Sequence, residues 1–136
     1  MNDDAIPKVT GLLETALYVD DMDRSAQFYQ SLFGFPVIDR GERLIALAAA
    51  DRQVLLLFKK RASALQPVGG HDGSGQLHLA FAIPATELAA WEACLAARGI
   101  PVEDRRQWPR GGVSLYFRDP DGHLLELATP GVWSMY

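Results

Sequence analysis

Gly34-Phe35-Pro36-Val37 and Gly99-Ile100-Pro101-Val102 stand 65 positions apart and share three of four letters. Each follows a helix-like stretch and precedes short strand-like runs. The chain therefore reads as one unit written twice, and such duplication limits the folds open to it more than any other feature. In the first copy LETALYV (13–19) alternates as a strand, and Asp20-Asp21 offers an N-cap. In MDRSAQFYQSLFG, Met22, Ala26, Tyr29 and Phe33 share one helical face, and Gly34 ends the helix. Val37-Ile38, Leu44–Ala49 and Val54–Phe58 follow as strands. In the second copy LHLAFAI (77–83) is the first strand, and Thr86 or a neighbour caps a helix with Leu88, Trp91 and Leu95 on one face. Gly99 ends that helix, and Val102-Glu103, Val113–Arg118 and Leu124–Thr129 complete the set. The order is βαβββ twice, an α+β fold. Module one covers about 12–58, a linker about 59–76, and module two about 77–130, all within one domain of 136 residues.

Strand alternation then sorts the side chains. Leu13, Thr15, Leu17 and Val19, and likewise Leu77, Leu79, Phe81 and Ile83, form bulky faces that fit under the helices. The opposite faces carry small residues together with Glu14, His78, Ser114, Tyr116, Arg118 and Glu126. A curved mixed sheet with such a face is a cup lined by polar groups. Glu14 and His78 hold equivalent places, each five residues before the last apolar residue of its strand. Glu126 is a carboxylate in the apolar strand LLELA, costly to desolvate without a positive partner. Two carboxylates and an imidazole converging in a cup suit a divalent cation, Mn²⁺, Fe²⁺, Zn²⁺ or Ni²⁺. Three protein ligands would leave positions for substrate.

The remaining features narrow the function classes. A net charge of −4 offers no basic face for nucleic acid. The longest apolar runs, LIALAAA and VLLLF, are too short to cross a bilayer, and MNDDAIPK does not resemble a signal peptide. The single cysteine, Cys94, reads as a packing residue, and a cytoplasmic location is the expectation. Asp119-Pro120-Asp121-Gly122 has the chemistry of a tight turn, and His123 after it is expected at the surface. The linker carries His71 among glycines, and its length predicts a mobile cover over the cup.

ETALYVDDMDRSAQFYQSLFGFPV, HLAFAI and SLYFRDPDGHLLELATP together resemble the glyoxalase / bleomycin-resistance / extradiol-dioxygenase superfamily, the vicinal oxygen chelate fold. The resemblance implies paired βαβββ modules forming a cup around a divalent metal, with ligands at Glu14, His78 and Glu126. It also implies a homodimer that closes the cup, with Glu14 from one chain and His78 and Glu126 from the other. The chain departs from the glyoxalase I pattern at Leu56, where a fourth ligand would fall, and Glu14 stands where a His or Gln is usual. Ser114 and Tyr116 lie in the stretch that resembles fosfomycin-resistance transferases. The implied function is a metal-dependent lyase, isomerase or dioxygenase acting on a small, anionic, oxygen-chelating substrate. Tyr116 and His71 are the expected proton-transfer or hydrogen-bonding groups, and Trp108, Arg110, Ser114 and Arg118 the expected substrate contacts. The competing expectations are a metal-free sequestration protein of the bleomycin-resistance type and a fosfomycin-resistance-like transferase.

Overall fold

A computed structural model describes residues 5–136. Module one comprises β1 (Glu14–Val19), α1 (Met22–Phe33), β2 (Val37–Arg40), β3 (Leu44–Ala50) and β4 (Gln53–Lys59). Module two comprises β5 (His78–Ala82), a 3₁₀ turn (Ala85–Glu87), α2 (Leu88–Ala97), β6 (Asp104–Gln107), β7 (Val113–Arg118) and β8 (Leu124–Ala128). The duplication read from the tetrapeptides is thus a duplication of topology. The sheets are ordered β1-β4-β3-β2 and β5-β8-β7-β6. In each, the first strand runs parallel to the last and the others are antiparallel.

Local chemistry explains the helix ends. The Asp21 carboxylate accepts the Arg24 N–H, and Gly34 takes a left-handed φ of 74° while its N–H reaches the Gln30 carbonyl. The second helix starts differently from the expectation at Thr86. No side chain caps it; the chain leaves Pro84 in a 3₁₀ turn that runs directly into α2. The strand expected at Val102-Glu103 lies two residues later, at Asp104–Gln107. Its exposed DRRQ sequence carries no apolar alternation to mark it.

The bulky faces of both sheets and both helices share one core. Leu17, Tyr29, Leu47 and Leu55 of module one pack in the same cluster as Leu95, Phe117, Leu125 and Leu127 of module two. Each fully buried side chain of this size stabilises the fold by about 1.5–3 kcal/mol. Phe33, at the end of α1, touches the rings of Phe35, Phe81 and Trp91 at centroid distances of 4.9, 4.8 and 5.4 Å. The opposite sheet faces therefore point away from this core. β1 and β5 do not pair; both border an apolar cleft of about 470 Å³ lined by Leu13, Thr15, Phe35, Leu79, Phe81 and Trp91.

The Asp119–Gly122 turn is more than local turn chemistry, because it fastens module two to module one. Asp121 accepts the Asp20 N–H at 2.9 Å and the Ser25 hydroxyl at 3.1 Å, with Arg24 at 3.5 Å. These groups sit at the start of α1, where an anion is favoured. Asp119 accepts the Tyr29 phenol at 2.7 Å and the N–H groups of Asp121 and His123. His123 is fully buried, against the expectation of a surface residue. Its Nδ1 accepts the Leu77 N–H at 2.9 Å, so Nε2 carries the proton that it donates to the Tyr18 carbonyl at 2.8 Å. Strand phase could not reveal this, since the partners lie far away in sequence.

Candidate functional site

The outward face of module two is a grid fixed by strand register. One row is Ala80, Glu126, Tyr116 and Asp104; the next is Ala82, Ala128, Ser114 and Arg106. His78 and Arg118 flank Leu124 in the row on the other side. The small side chains of Ala80, Ala82 and Ala128 leave the polar ones room.

At the centre Glu126 is buried, and its carboxylate meets two groups. Oε2 accepts the Ser114 hydroxyl at 2.5 Å, and Oε1 lies 3.3 Å from His78 Nε2. The hydrogen bonds behind this carboxylate run in one direction. The Trp108 indole can only donate, and it does so to Ser114 Oγ at 2.9 Å, so the Ser114 proton must point to Glu126. His78 Nδ1 lies 2.9 Å from the Leu124 carbonyl, which can only accept, so the proton of a neutral imidazole is on Nδ1. Neutral His78 would then direct the lone pair of Nε2 at a carboxylate oxygen. Two acceptors at this distance repel unless a cation, a proton or a metal ion, lies with them. A carbonyl holding Nδ1–H so that Nε2 is free is the usual arrangement of a metal-binding imidazole. The donor set therefore fits a divalent cation.

Tyr116 neighbours this pair, 6.4 Å between ring centroids from His78. Burial, followed by the Glu126 carboxylate, pushes its phenol above the ordinary 10.0, so the hydroxyl stays protonated. Arg106 lies over the rings of both Trp108 and Tyr116, at 5.4 and 5.7 Å. It escaped sequence reading because the exposed strand β6 was not recognised; its register opposite Ser114 places it beside the site.

The other expected site residues lie elsewhere. Glu14 is exposed at the first position of β1, and the described residues contain no group of three His, Cys, Asp or Glu side chains able to hold a metal. One chain thus joins His78 to Glu126 but not Glu14 to both. Arg118 is engaged by the Glu103 carboxylate and the Gly122 carbonyl, which fixes the base of the turn. Arg110 is exposed in the turn between β6 and β7. His71 belongs to module one: Nδ1 lies 2.6 Å from the Tyr18 hydroxyl, and its ring meets Phe58 edge-on. The linker carries hydrogen bonds of its own. Arg61 N–H donates to Asp72, Arg43 to the buried Ser63 hydroxyl, and the His71 N–H to the Ser63 carbonyl.

The family model of the Glyoxalase/Bleomycin resistance protein/Dioxygenase superfamily matches residues 11–127. The chain belongs to this superfamily. Among curated members, it is 31% identical to a metallothiol transferase FosB of Shouchella clausii, over 89% of this chain and 81% of that protein. It is 30% identical to a catechol-2,3-dioxygenase of Bacillus subtilis, over 82% of this chain but 38% of that protein. A crystal structure of lactoylglutathione lyase from Agrobacterium tumefaciens superposes with a TM-score of 0.87 at 33% identity, covering 94% of this chain and 99% of that one. The superfamily fold expected from the sequence is the fold observed. Among the described residues no helix is long and apolar enough to cross a membrane.

Proposed function

We propose that this superfamily member is a divalent-metal-dependent enzyme whose site is shared between two copies of the chain. His78 and Glu126 of one copy and Glu14 of the other hold Mn²⁺, Fe²⁺, Zn²⁺ or Ni²⁺. The observation that carries this reading is the proton arrangement at His78: Nδ1–H is held by the Leu124 carbonyl, and Nε2 faces a buried carboxylate at 3.3 Å. The separation of Glu14 from this pair within one chain, and the unpaired edges of β1 and β5, support a second copy.

The bound cation would polarise adjacent oxygens of a small substrate and stabilise the negative charge that develops on them. The chain's own groups supply the rest. Trp108 and Ser114 fix one oxygen of Glu126 and leave the other for ligation. Tyr116, held protonated, donates a hydrogen bond to a developing oxyanion or passes on its proton. Arg106 favours an anionic substrate, with Arg110 at the rim. Arg118 is spent on Glu103, and His71 is held by Tyr18, so neither is assigned to the chemistry. Transferase, lyase and dioxygenase names among the relatives support an enzyme.

The same geometry would also be satisfied by an imidazolium–carboxylate pair in a metal-free binding protein of the bleomycin-resistance type. Elemental analysis after purification without chelator separates the two. The expected result is one metal ion per chain, lost in His78→Ala and in Glu126→Ala while the circular dichroism spectrum is retained. Metal-free wild-type protein, after incubation with each of the four cations, would establish the sequestration reading instead.

A further inference from the structure

The outward face of module one has a different character. Its register gives three rows: Glu14, Val54 and Ala48; Ala16, Leu56 and Ala46; Tyr18, Phe58 and Leu44. On β1, β3 and β4 its one charged side chain is Glu14; Asp39 of β2, in register with Ala46, stands at the far edge. Ala16, Ala46 and Ala48 are small beside Leu56 and beside the rings of Tyr18 and Phe58, so the face is lowest there. One end of the hollow is walled. Tyr18 and Phe58 stack at 5.7 Å, His71 stands edge-on to both, and Gly73 packs so closely on the Tyr18 ring that a Cβ there would lie 2.4 Å from it. The wall ends in a polar pair: the Tyr18 phenol, held protonated by burial and then by the Asp72 carboxylate, shares a hydrogen bond of 2.6 Å with His71 Nδ1. An apolar concavity with a few placed polar groups is the anatomy of a small-molecule site.

We infer that the Ala16–Ala46–Ala48 hollow and its Tyr18–Phe58–His71 wall receive a flat apolar group of the substrate, aromatic or unsaturated. This rests on the reading of the cup as the place of chemistry and deepens it. The substrate is two-ended: an anionic, oxygen-chelating head for the module-two face and a planar apolar body for the module-one face. Glu14 and Tyr18 lie at opposite ends of one strand face, about 13 Å apart at the usual rise. That span accommodates a head at the carboxylate and a single ring before the wall. The wall, whose His71 is bonded to Tyr18 and through its N–H to the Ser63 carbonyl, sets the length of the body that fits.

Phenylphosphonate and methylphosphonate, titrated calorimetrically into Zn²⁺-loaded and chelator-treated protein, test the inference. Phenylphosphonate should bind about tenfold tighter or more, from the apolar area that its ring buries. Its ring protons should show nuclear Overhauser effects to the Leu56 and Val54 methyl groups. Ala16→Phe, which fills the hollow from a partly exposed position, should reduce the ratio to about one and leave methylphosphonate affinity unchanged. Equal affinities in wild type, a ratio unchanged in Ala16→Phe, no phenylphosphonate binding, or contacts only to other residues would each overturn it. The metal reading fails separately: methylphosphonate would then bind equally with and without Zn²⁺, whatever the ratio between the two probes.

Discussion

Glu126 is held by a chain of two hydrogen bonds: the Trp108 indole donates to the Ser114 hydroxyl, which donates to one carboxylate oxygen. This arrangement decides which oxygen is left to bind. Ser114→Ala removes the hydroxyl that donates to Oε2 and should weaken Zn²⁺ binding roughly 10- to 100-fold, the usual effect of losing a partner behind a ligand. Trp108→Phe leaves Ser114 free to keep donating, so its effect on Zn²⁺ affinity should be smaller. Competition against a fluorescent chelator measures both, and an unchanged Ser114→Ala would contradict the relay. Tyr29 gives a prediction about pH. Burial, then the Asp119 carboxylate, hold its phenol far above the ordinary 10.0. The unfolded chain releases this proton near pH 10 while the folded chain keeps it. Its stability contribution is therefore complete below pH 10 and lost as pH rises further, at about 1.4 kcal/mol per pH unit. Urea midpoints at pH 9, 10 and 11 should fall less steeply in Tyr29→Phe; parallel slopes would refute the assignment. His78, Ser114, Tyr116 and Glu126 were legible as one face because β5, β7 and β8 alternate strongly. Arg106 and His123 were not, because an exposed strand hides its phase and a buried histidine's partners are set by tertiary contact.

Among the elements, the Asp119–Gly122 turn has the largest reach. Asp121→Ala should destabilise the protein by roughly 2–4 kcal/mol, since it leaves the Asp20 N–H and the Ser25 hydroxyl without their acceptor. Hydrogen exchange should quicken first at the start of α1. Unchanged protection there would show that the latch does not hold the helix. Most elements could be read from sequence to within a residue or two: β1, α1, β3, β4, β7 and β8 all carry clear alternation, a capping residue or a terminating glycine. In the linker, glycines and length predict mobility, and sequence does not show the hydrogen bond from Arg43 of module one to Ser63 or the Arg61–Asp72 bond within the linker.

For the whole molecule, the question is how Glu14 reaches His78 and Glu126. Co-refolding Glu14→Ala with His78→Ala protein tests the shared site. Random pairing makes about half the dimers mixed, and each mixed dimer has one intact site, so about a quarter of sites should regain metal. No recovery, with mixed dimers confirmed by mass, would exclude sharing. The two modules could be read as a pair from their repeated tetrapeptides, but the fact that their helix sides share one core could not, because alternation says which faces are apolar and not what they meet. The His123–Tyr18 hydrogen bond, which spans 105 positions, has a consequence for how the chain is made. Module one leaves the ribosome first, yet the anion at its helix start and the donor to its Tyr18 carbonyl arrive only with residues 119–123. Until then the common core also lacks Leu125 and Leu127 of β8. Early emergence therefore does not give module one early stability, and the synthesis of residues 119–128 determines when the whole core can close.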